Sequence, residues 1–382
     1  MAGRLYEDKR SARDLIWDDP TKIDGSSTIN QAILSVRVNY SMDMVSEINL
    51  EVLDSNGTLA RANYFSIGRH VWYRGFASTH LSWVTTDRGL VNGERIWQLY
   101  EIASVSMGTG PGTNPIWNLK LRPAACQQMK RNKEPAGVAT DRPGTPAGVP
   151  GMGSELIKNA ATHYGLRHHV QSTTEGVDWK SSGEDEVKES LWDVMKRTAG
   201  VSREKDGHAQ FRLFEADGVL FFGTQKWFLG QWGMKYGNPN VPLVDPEGLI
   251  AGGGGTSYNY IELNWPVQRK SDPPDAFQMM SMPTCTRSDN NPIATEGSAQ
   301  IDRANGRTLR PGMTIFLRFD RNMGFTGHYF QGMYLITSVS FEHIGNAPVS
   351  INFRSPERLA KDIKMLEVGA IHGQLKGQYS EV

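Results

Sequence analysis

Tyr100-Glu101-Ile102-Ala103-Ser104-Val105-Ser106 comes back near the other end of the chain as Tyr334-Leu335-Ile336-Thr337-Ser338-Val339-Ser340, identical at five of seven positions and offset by 234 residues. Two more similarities are collinear with it. At the same offset Trp117-Asn118-Leu119 matches Ile351-Asn352-Phe353. Upstream, Ile67-Gly68-Arg69-His70-Val71-Trp72 resembles Pro311-Gly312-Met313-Thr314-Ile315-Phe316 at an offset of 244. Each is an extended apolar run after or beside a turn. The offset is far longer than the roughly 20–50 residues of a solenoid repeat. The pattern predicts one small β-domain used twice, with something else inserted between the copies. Ile102 and Ile336 are then expected at equivalent positions of the two units.

Composition agrees with a turn-rich β protein. The chain has 382 residues, room for two to three domains. Its 40 glycines exceed the usual share of about 7%. Lysine plus arginine number 41, aspartate plus glutamate 41, so the formal charge is zero. That balance gives no electrostatic footprint for duplex nucleic acid or an anionic membrane. Two cysteines, Cys126 and Cys285, imply neither a disulfide framework nor a zinc site, and fit synthesis in a reducing compartment. No apolar run reaches the ~18 residues of a membrane span. Met1 to Asp8 lack the basic-then-apolar order of a signal peptide.

Along the chain, residues 1–30 read as an arm with one apolar knot, Leu15-Ile16-Trp17, that packs on something else or stays partly disordered. A first β-domain spans 31–126. Leu34, Val36, Val38 and Tyr40 alternate with polar residues, as do Ile48, Leu50 and Val52. Asp54-Ser55-Asn56-Gly57 reads as a hairpin turn, because Asn-Gly tolerates positive φ. Further strands are expected at Tyr64–Ile67, Val71–Tyr73, Leu81–Thr85, Ile96–Val105 and Trp117–Leu121. Residues 127–153 are polar and basic, then crowded with proline and glycine, and read as a linker or exposed loop.

Residues 154–230 change period. Ser154 caps a helix that stops at Gly165. A second helix is expected from Ser182 or Gly183, through the acids Glu184-Asp185-Glu186 and the ladder Val187, Leu191, Met195, to a stop at Gly200. Gln210–Phe214 and Val219–Phe222 form a hairpin about Glu215-Ala216-Asp217-Gly218. A second β-domain covers 231–356, with strands at Tyr258–Trp265, Met313–Phe319, Tyr334–Ile344 and Val349–Phe353. Residues 266–310 have no clear period and receive no element. The tail 357–382 starts as a short helix and frays. The fold class is therefore mainly β with an α+β insert: two similar tube-type barrel or sandwich domains flanking a helix-plus-hairpin unit.

The residues offer little chemistry. His163 with His168 or His169 makes a metal pair only in principle, since Gly165 intervenes and no third ligand is spaced for it. Glu184-Asp185-Glu186 is explained by charge at a helix N-terminus. Gly252-Gly253-Gly254-Gly255 lacks the Lys-Ser/Thr of a phosphate loop. Asp272-Pro273-Pro274-Asp275 reads as a surface turn. Trp72, Trp83, Trp97, Trp117, Trp192, Trp227, Trp232 and Trp265 lie mostly in apolar runs, where core packing explains them better than sugar or base stacking. No catalytic, cofactor or metal residues are assigned, and no cofactor is expected. An interaction protein is favoured over an enzyme.

Ser190-Leu191-Trp192-Asp193-Val194-Met195 through Gly207, with Ala209–Gly223, resembles the helix-then-hairpin segment of tailed-phage baseplate hub proteins. That group includes the late-control-D family, the hub below contractile tail tubes, the first part of type VI secretion spike proteins and hub-like proteins of non-contractile tails. The paired Gly68/Gly312 and Tyr100–Ser106/Tyr334–Ser340 strands look like its two tube-type β-domains. The resemblance covers residues 30–360 and rests on the order of the motifs. It implies a homotrimer forming a ring of six similar domains, joining a six-fold tail tube or distal tail protein to a three-fold spike or central fibre. It also implies other baseplate partners, with the tape-measure protein and, transiently, DNA in the lumen. The location implied is the virion tail tip, after synthesis in the host cytoplasm. Residues 134–153 and 357–382 are the expected contact segments. No spike or lysozyme domain is expected after the second β-domain, and a spike is expected to be a separate chain. Two other readings are a carbohydrate-binding tail protein, with Trp227 and Trp232 as stacking platforms, and a cell-wall-degrading tail enzyme.

Overall fold

The computed structural model describes residues 15–17, 32–76, 95–109, 114–133, 151–173, 176–177, 189–202, 211–228, 261–265, 277–288, 291–319, 330 and 332–355. The first stretch holds β1 (Leu15–Trp17), β2 (Ile33–Ser41), β3 (Glu47–Leu53), the one-turn helix α1 (Thr58–Arg61), β4 (His70–Phe76), β5 (Arg95–Thr109), β6 (Pro115–Pro123) and α2 (Ala124–Arg131). The middle holds β7 (Gly151–Met152), α3 (Gly153–His163), β8 (Arg167–Val170), β9 (Gly176–Val177), α4 (Leu191–Val201), β10 (Phe211–Ala216), β11 (Val219–Thr224) and α5 (Gln225–Phe228). The last stretch holds β12 (Ile261–Trp265), β13 (Phe277–Gln278), β14 (Thr284–Ser288), β15 (Asn291–Ile301), α6 (Arg303–Gly306), β16 (Thr314–Phe319), β17 (Gly332–Glu342) and β18 (Val349–Arg354). Among the described residues no helix is long and apolar enough to cross a membrane.

The fold is mainly β with an α+β insert. Strand by strand, the two β-units have the same order: β4-β5-β6-β3-β2 in the first and β16-β17-β18-β15-β14 in the second. They are fused edge to edge, because β17 pairs antiparallel with β2 from Ser338–Ser41 to Glu342–Arg37. One 13-stranded sheet results. Alternation explains the strands: Val36, Val38 and Tyr40 on β2 and Ile48, Leu50 and Val52 on β3 are all buried, while the residues between them face outward.

The quoted repeat marks an equivalent backbone device in both units. Against β6, β5 shifts register between Ile102 and Ser104; against β18, β17 shifts between Ile336 and Ser338. Ile102 O accepts from Gly68 N at 2.9 Å, and Ile336 O accepts from Gly312 N at 2.8 Å. Ile102 N donates to Arg69 O and Ile336 N to Met313 O, both at 2.9 Å. Gly68 and Gly312 have φ of 88° and 84°, where a side chain is strained. Gly68→Ala and Gly312→Ala are therefore each expected to cost about 1–2 kcal/mol, by similar amounts, in denaturant titrations.

Strand pairing corrects the match of Trp117-Asn118-Leu119 to Ile351-Asn352-Phe353. Ile102 opposes Leu121 and Ile336 opposes Phe353; Val105 opposes Leu119 and Val339 opposes Ile351. Leu119 thus corresponds to Ile351, and matching it to Phe353 is a slip of two residues. A slip of two keeps every side chain on its own face, so the sequence pattern cannot expose it.

Other expectations are also corrected. Leu15 and Trp17 are buried on their own chain, where β1 pairs with β4. Asp54–Gly57 makes no hairpin: Asp54 accepts from Leu59 N and Ala60 N and starts α1, while β3 pairs with β2 and β6. Tyr64–Ile67 is a turn, not a strand. Residues 127–131, read as the start of a connector, complete α2, whose Cys126 and Met129 are fully buried. The second helix starts at Leu191, capped by Ser190 accepting from Asp193 N, and runs past Gly200 to Val201. Residues 277–306, given no element, supply β13, β14, β15 and α6. Leu81–Thr85, residues 134–150, Glu184–Glu186 and the tail 357–382 lie outside the described residues.

The insert packs on both faces of its hairpin. Phe211, Leu213, Leu220 and Phe222 join α2, α3 and α4 in one core around Trp192. Phe214, Ala216, Val219 and Phe221 belong to the core of the large sheet. Hence β11 reads as a continuous apolar run, Val219-Leu220-Phe221-Phe222, with every residue buried. The tip of this hairpin is thereby delivered to the seam between the β-units.

Candidate assembly surface

The seam is polar and buried at its centre. Asp217 and Gly218 form the two-residue turn between β10 and β11, with φ of 54° and 74°. Asp217 accepts from Arg310 Nε at 2.7 Å and Nη2 at 3.1 Å, and from Tyr40 Oη at 3.0 Å. Arg310 is 0% exposed, donates to the carbonyls of Arg307 and Leu309, and lies 4.3 Å from the Tyr40 ring centre. One ion pair therefore joins three parts of the chain: β2 of the first unit, the insert's hairpin, and the turn before β16. Tyr73 Oη and His343 Nδ1, one from each unit, meet at 3.0 Å.

Beside this pair lies a second buried chain. Glu215 Oε2 sits 2.5 Å from Ser46 Oγ, which sits 3.0 Å from Tyr100 Oη, which donates to Gln98 Oε1 at 3.2 Å. Glu215 Oε1 also accepts from Gly218 N. Burial pushes the Glu215 carboxyl up to about 7, although its hydrogen bonds with Ser46 and Gly218 act in the opposite direction. As an acid it can donate to Ser46 Oγ, which then donates onward to Tyr100. The arrangement is a lock at a joint, enclosed on all sides.

The outward face of the joined sheet is polar and carries both signs. Arg37 pairs with Glu342 across the seam at 3.5 Å, and Lys120 and Arg122 both pair with Glu47 at 3.1 Å. Asn39 accepts from Ser340, and Asn352 donates to Ser338. A shallow hollow of about 240 Å³ lies on this face over β2, β3, β5 and β6, lined by Ser35, Arg37, Glu51, Ser104, Ser106 and Lys120. Small hydroxyls with interleaved opposite charges make a wet surface without one dominant potential.

Besides the outer sides of the short end strands β1 and β13, two edges of the sheet carry no strand partner among the described residues: β5 from Ser104 to Thr109, and the outer side of β14. Met107 on the first is 64% exposed, and Met282 just ahead of β14 is 52% exposed.

The expected candidates fall elsewhere. His168 and His169 are consecutive on β8 and so point to opposite faces, which prevents both from binding one ion. His169 stacks on Trp227 at 4.5 Å, and burial lowers its pKa to about 4. His163 packs edge-on against Tyr164. Among the described residues no group of three His, Cys, Asp or Glu side chains could hold a metal. Trp192 is core, and Trp72, Trp97, Trp117, Trp227 and Trp265 are half-buried. Trp227 has His169 stacked on its ring and Phe228 edge-on to it. Trp83, Trp232, Gly252–Gly255 and Asp272–Asp275 lie outside the described residues. Sequence reading did not find Asp217, Glu215, Arg310 or Met107. The available signal was an arginine beside Pro311-Gly312 in a chain whose other copy has Ser66-Ile67-Gly68 there.

No family model matches this chain, and no curated protein matches it. Solved structures do resemble it in fold. A tail protein from Neisseria meningitidis has 10% identity and a TM-score of 0.43, covering 86% of this chain and 93% of its own. An Escherichia coli component of the type VI secretion system, described as structurally similar to bacteriophage T4 tail proteins, has 10% identity and a TM-score of 0.44, covering 85% of this chain and 74% of its own. A prophage tail protein from Listeria monocytogenes has 9% identity and a TM-score of 0.43, covering 94% of this chain and 99% of its own.

Proposed function

We propose that this chain is a structural, non-enzymatic hub of a phage-type tail. It forms a homotrimeric ring that joins a six-fold tail tube to a three-fold spike or central fibre and surrounds the DNA-ejection channel. The observation that carries the reading is the duplicated backbone device, Gly68–Ile102 and Gly312–Ile336, in two units of the same strand order. A chain with two quasi-equivalent units supplies six ring positions from three copies, and closed cyclic symmetry then matches three-fold to six-fold neighbours. The locked seam at Asp217–Arg310 supports it too, because a ring needs the two units held at one fixed angle. The mixed-charge sheet face suits a channel wall, since a surface that neutralised many phosphates would hold DNA instead of passing it.

Native mass spectrometry of the purified chain, alone and with its tube or spike partner, is expected to report three copies, and negative-stain class averages a ring with a central hole. A chain that stays monomeric inside assembled particles overturns the reading.

A further inference from the structure

The seam within one chain shows what the two open edges are built to meet. Since β17 corresponds to β5, the β17 segment Ser338–Glu342 corresponds to Ser104–Gly108. In the second unit β2 covers that segment, and Phe341, directly opposite Val38, is 3% exposed. In the first unit nothing described covers it, and Met107, the counterpart of Phe341, is 64% exposed. The strand corresponding to β2 is β14. Ile48 opposes Val38 and Leu121, while Gly297 opposes Cys285 and Phe353. With Leu121 equivalent to Phe353, Cys285 takes the place of Val38. The outer edge of β14 is open at the same position where β2 meets β17.

We infer that β5 of one copy pairs antiparallel with β14 of a second copy of this chain, in the register of the internal seam. Ser104 then opposes the partner's Ser288, Ser106 the partner's Thr286, and Met107 the partner's Cys285. Within a chain the two edges are on different units, so each contact leaves one edge of each kind free. The contact is heterologous and must close into a ring or run on as a filament. Closure at three copies rests on the hub reading; the strand pairing itself rests on the two edges. It also disposes of two exposed edges, which an isolated sheet presents as an aggregation hazard.

Directly opposed residues of an antiparallel pair have Cα atoms about 4.5–5.5 Å apart, inside the range of a disulfide. The test is Met107→Cys with native Cys285, oxidised by copper phenanthroline because burial pushes the Cys285 thiol up to about 11. Cys126 is fully buried and stays out of the reaction. Opposed pairs alternate between a close and a wide kind, so Ser106→Cys/Thr286→Cys on a Cys285→Ser background is the companion variant. At least one variant is expected to run as a covalent trimer on a non-reducing gel and to revert with reductant. Adding Cys285→Ser to Met107→Cys is expected to abolish that variant's band. Trimers by native mass spectrometry with neither crosslink overturn this pairing while leaving the ring intact. Monomers throughout overturn both. A crosslinked open series of dimers, trimers and higher species supports the pairing and overturns closure at three.

Discussion

Asp217→Asn is expected to destabilise the protein by about 3–5 kcal/mol, the cost of leaving a buried charge uncompensated. Asparagine keeps the size of aspartate and tolerates the positive φ of 54° at this turn, so the backbone is spared. What changes is the charge facing Arg310, which is 0% exposed. Arg310→Met is expected to cost a similar amount, because Asp217 would then keep only the neutral Tyr40 and Gln98 donors. The double variant Asp217→Asn/Arg310→Met should cost clearly less than the two losses added together, since neither charge is left alone. Guanidinium titrations of the four proteins give the coupling directly. The damage should also be local: amide exchange along β2 at Val38–Ser41 should accelerate, because the hairpin tip no longer holds the seam. A cost below about 1 kcal/mol for Asp217→Asn would show that the seam is held by strand pairing alone.

That seam marks the boundary of what could be read from the sequence. The duplication was legible because its signals are local. The repeated Tyr-x-Ile-x-Ser-Val-Ser, the glycine ahead of the preceding strand and period-two alternation each show within a few residues, whereas the register shift and the positive φ behind the first two show only in the fold. The same period hid the slip of Leu119 against Phe353, since an even displacement preserves faces. Strands β14 and β15 were invisible for a different reason. The inward positions of β15 are Thr295, Gly297, Ala299 and Ile301, and the inward position of β14 is Cys285, so the buried face carries mostly small or polar residues and the alternation with exposed Thr284, Thr286, Glu296 and Gln300 leaves little apolar signal. Tyr64–Ile67 misleads the other way, since its apolar run predicts a strand where the chain turns. The buried pair itself could not be found by spacing. Asp217 and Arg310 are 93 residues apart and meet only because the hairpin is sandwiched between two cores. Before folding, Asp217 is one more Asp-Gly turn and Arg310 one more surface cation.

Glu215 sets the second large effect, on the dependence of stability on pH. Its carboxyl titrates at about 7 in the folded chain, raised from an ordinary 4.5 by burial. Below pH 4.5 the folded and unfolded chains both carry the proton, and the group adds no pH dependence. Between 4.5 and 7 the unfolded chain has released it and the folded chain has not, so stability falls as pH rises. The limiting slope is about 1.4 kcal/mol per pH unit, which accumulates to about 3 kcal/mol across the window. Above 7 both states are ionised and the loss is complete. The groups facing this carboxyl are Ser46, Tyr100, Gly218 and the nearby Asp217 and Cys126, so ionisation would place a second negative charge beside Asp217 in the same enclosed site. Glu215→Gln mimics the protonated form. It can still hydrogen-bond Ser46 Oγ, but leaves one backbone N–H less well satisfied, at a pH-independent cost of about 1 kcal/mol. Urea titrations from pH 4.5 to 8 should therefore cross: wild type the more stable at the acid end, Glu215→Gln at the basic end. Parallel curves would mean that Glu215 is ionised in the folded chain throughout. The Ser46–Tyr100 chain would then solvate a carboxylate, and the proton would have no part in holding the hairpin to the seam.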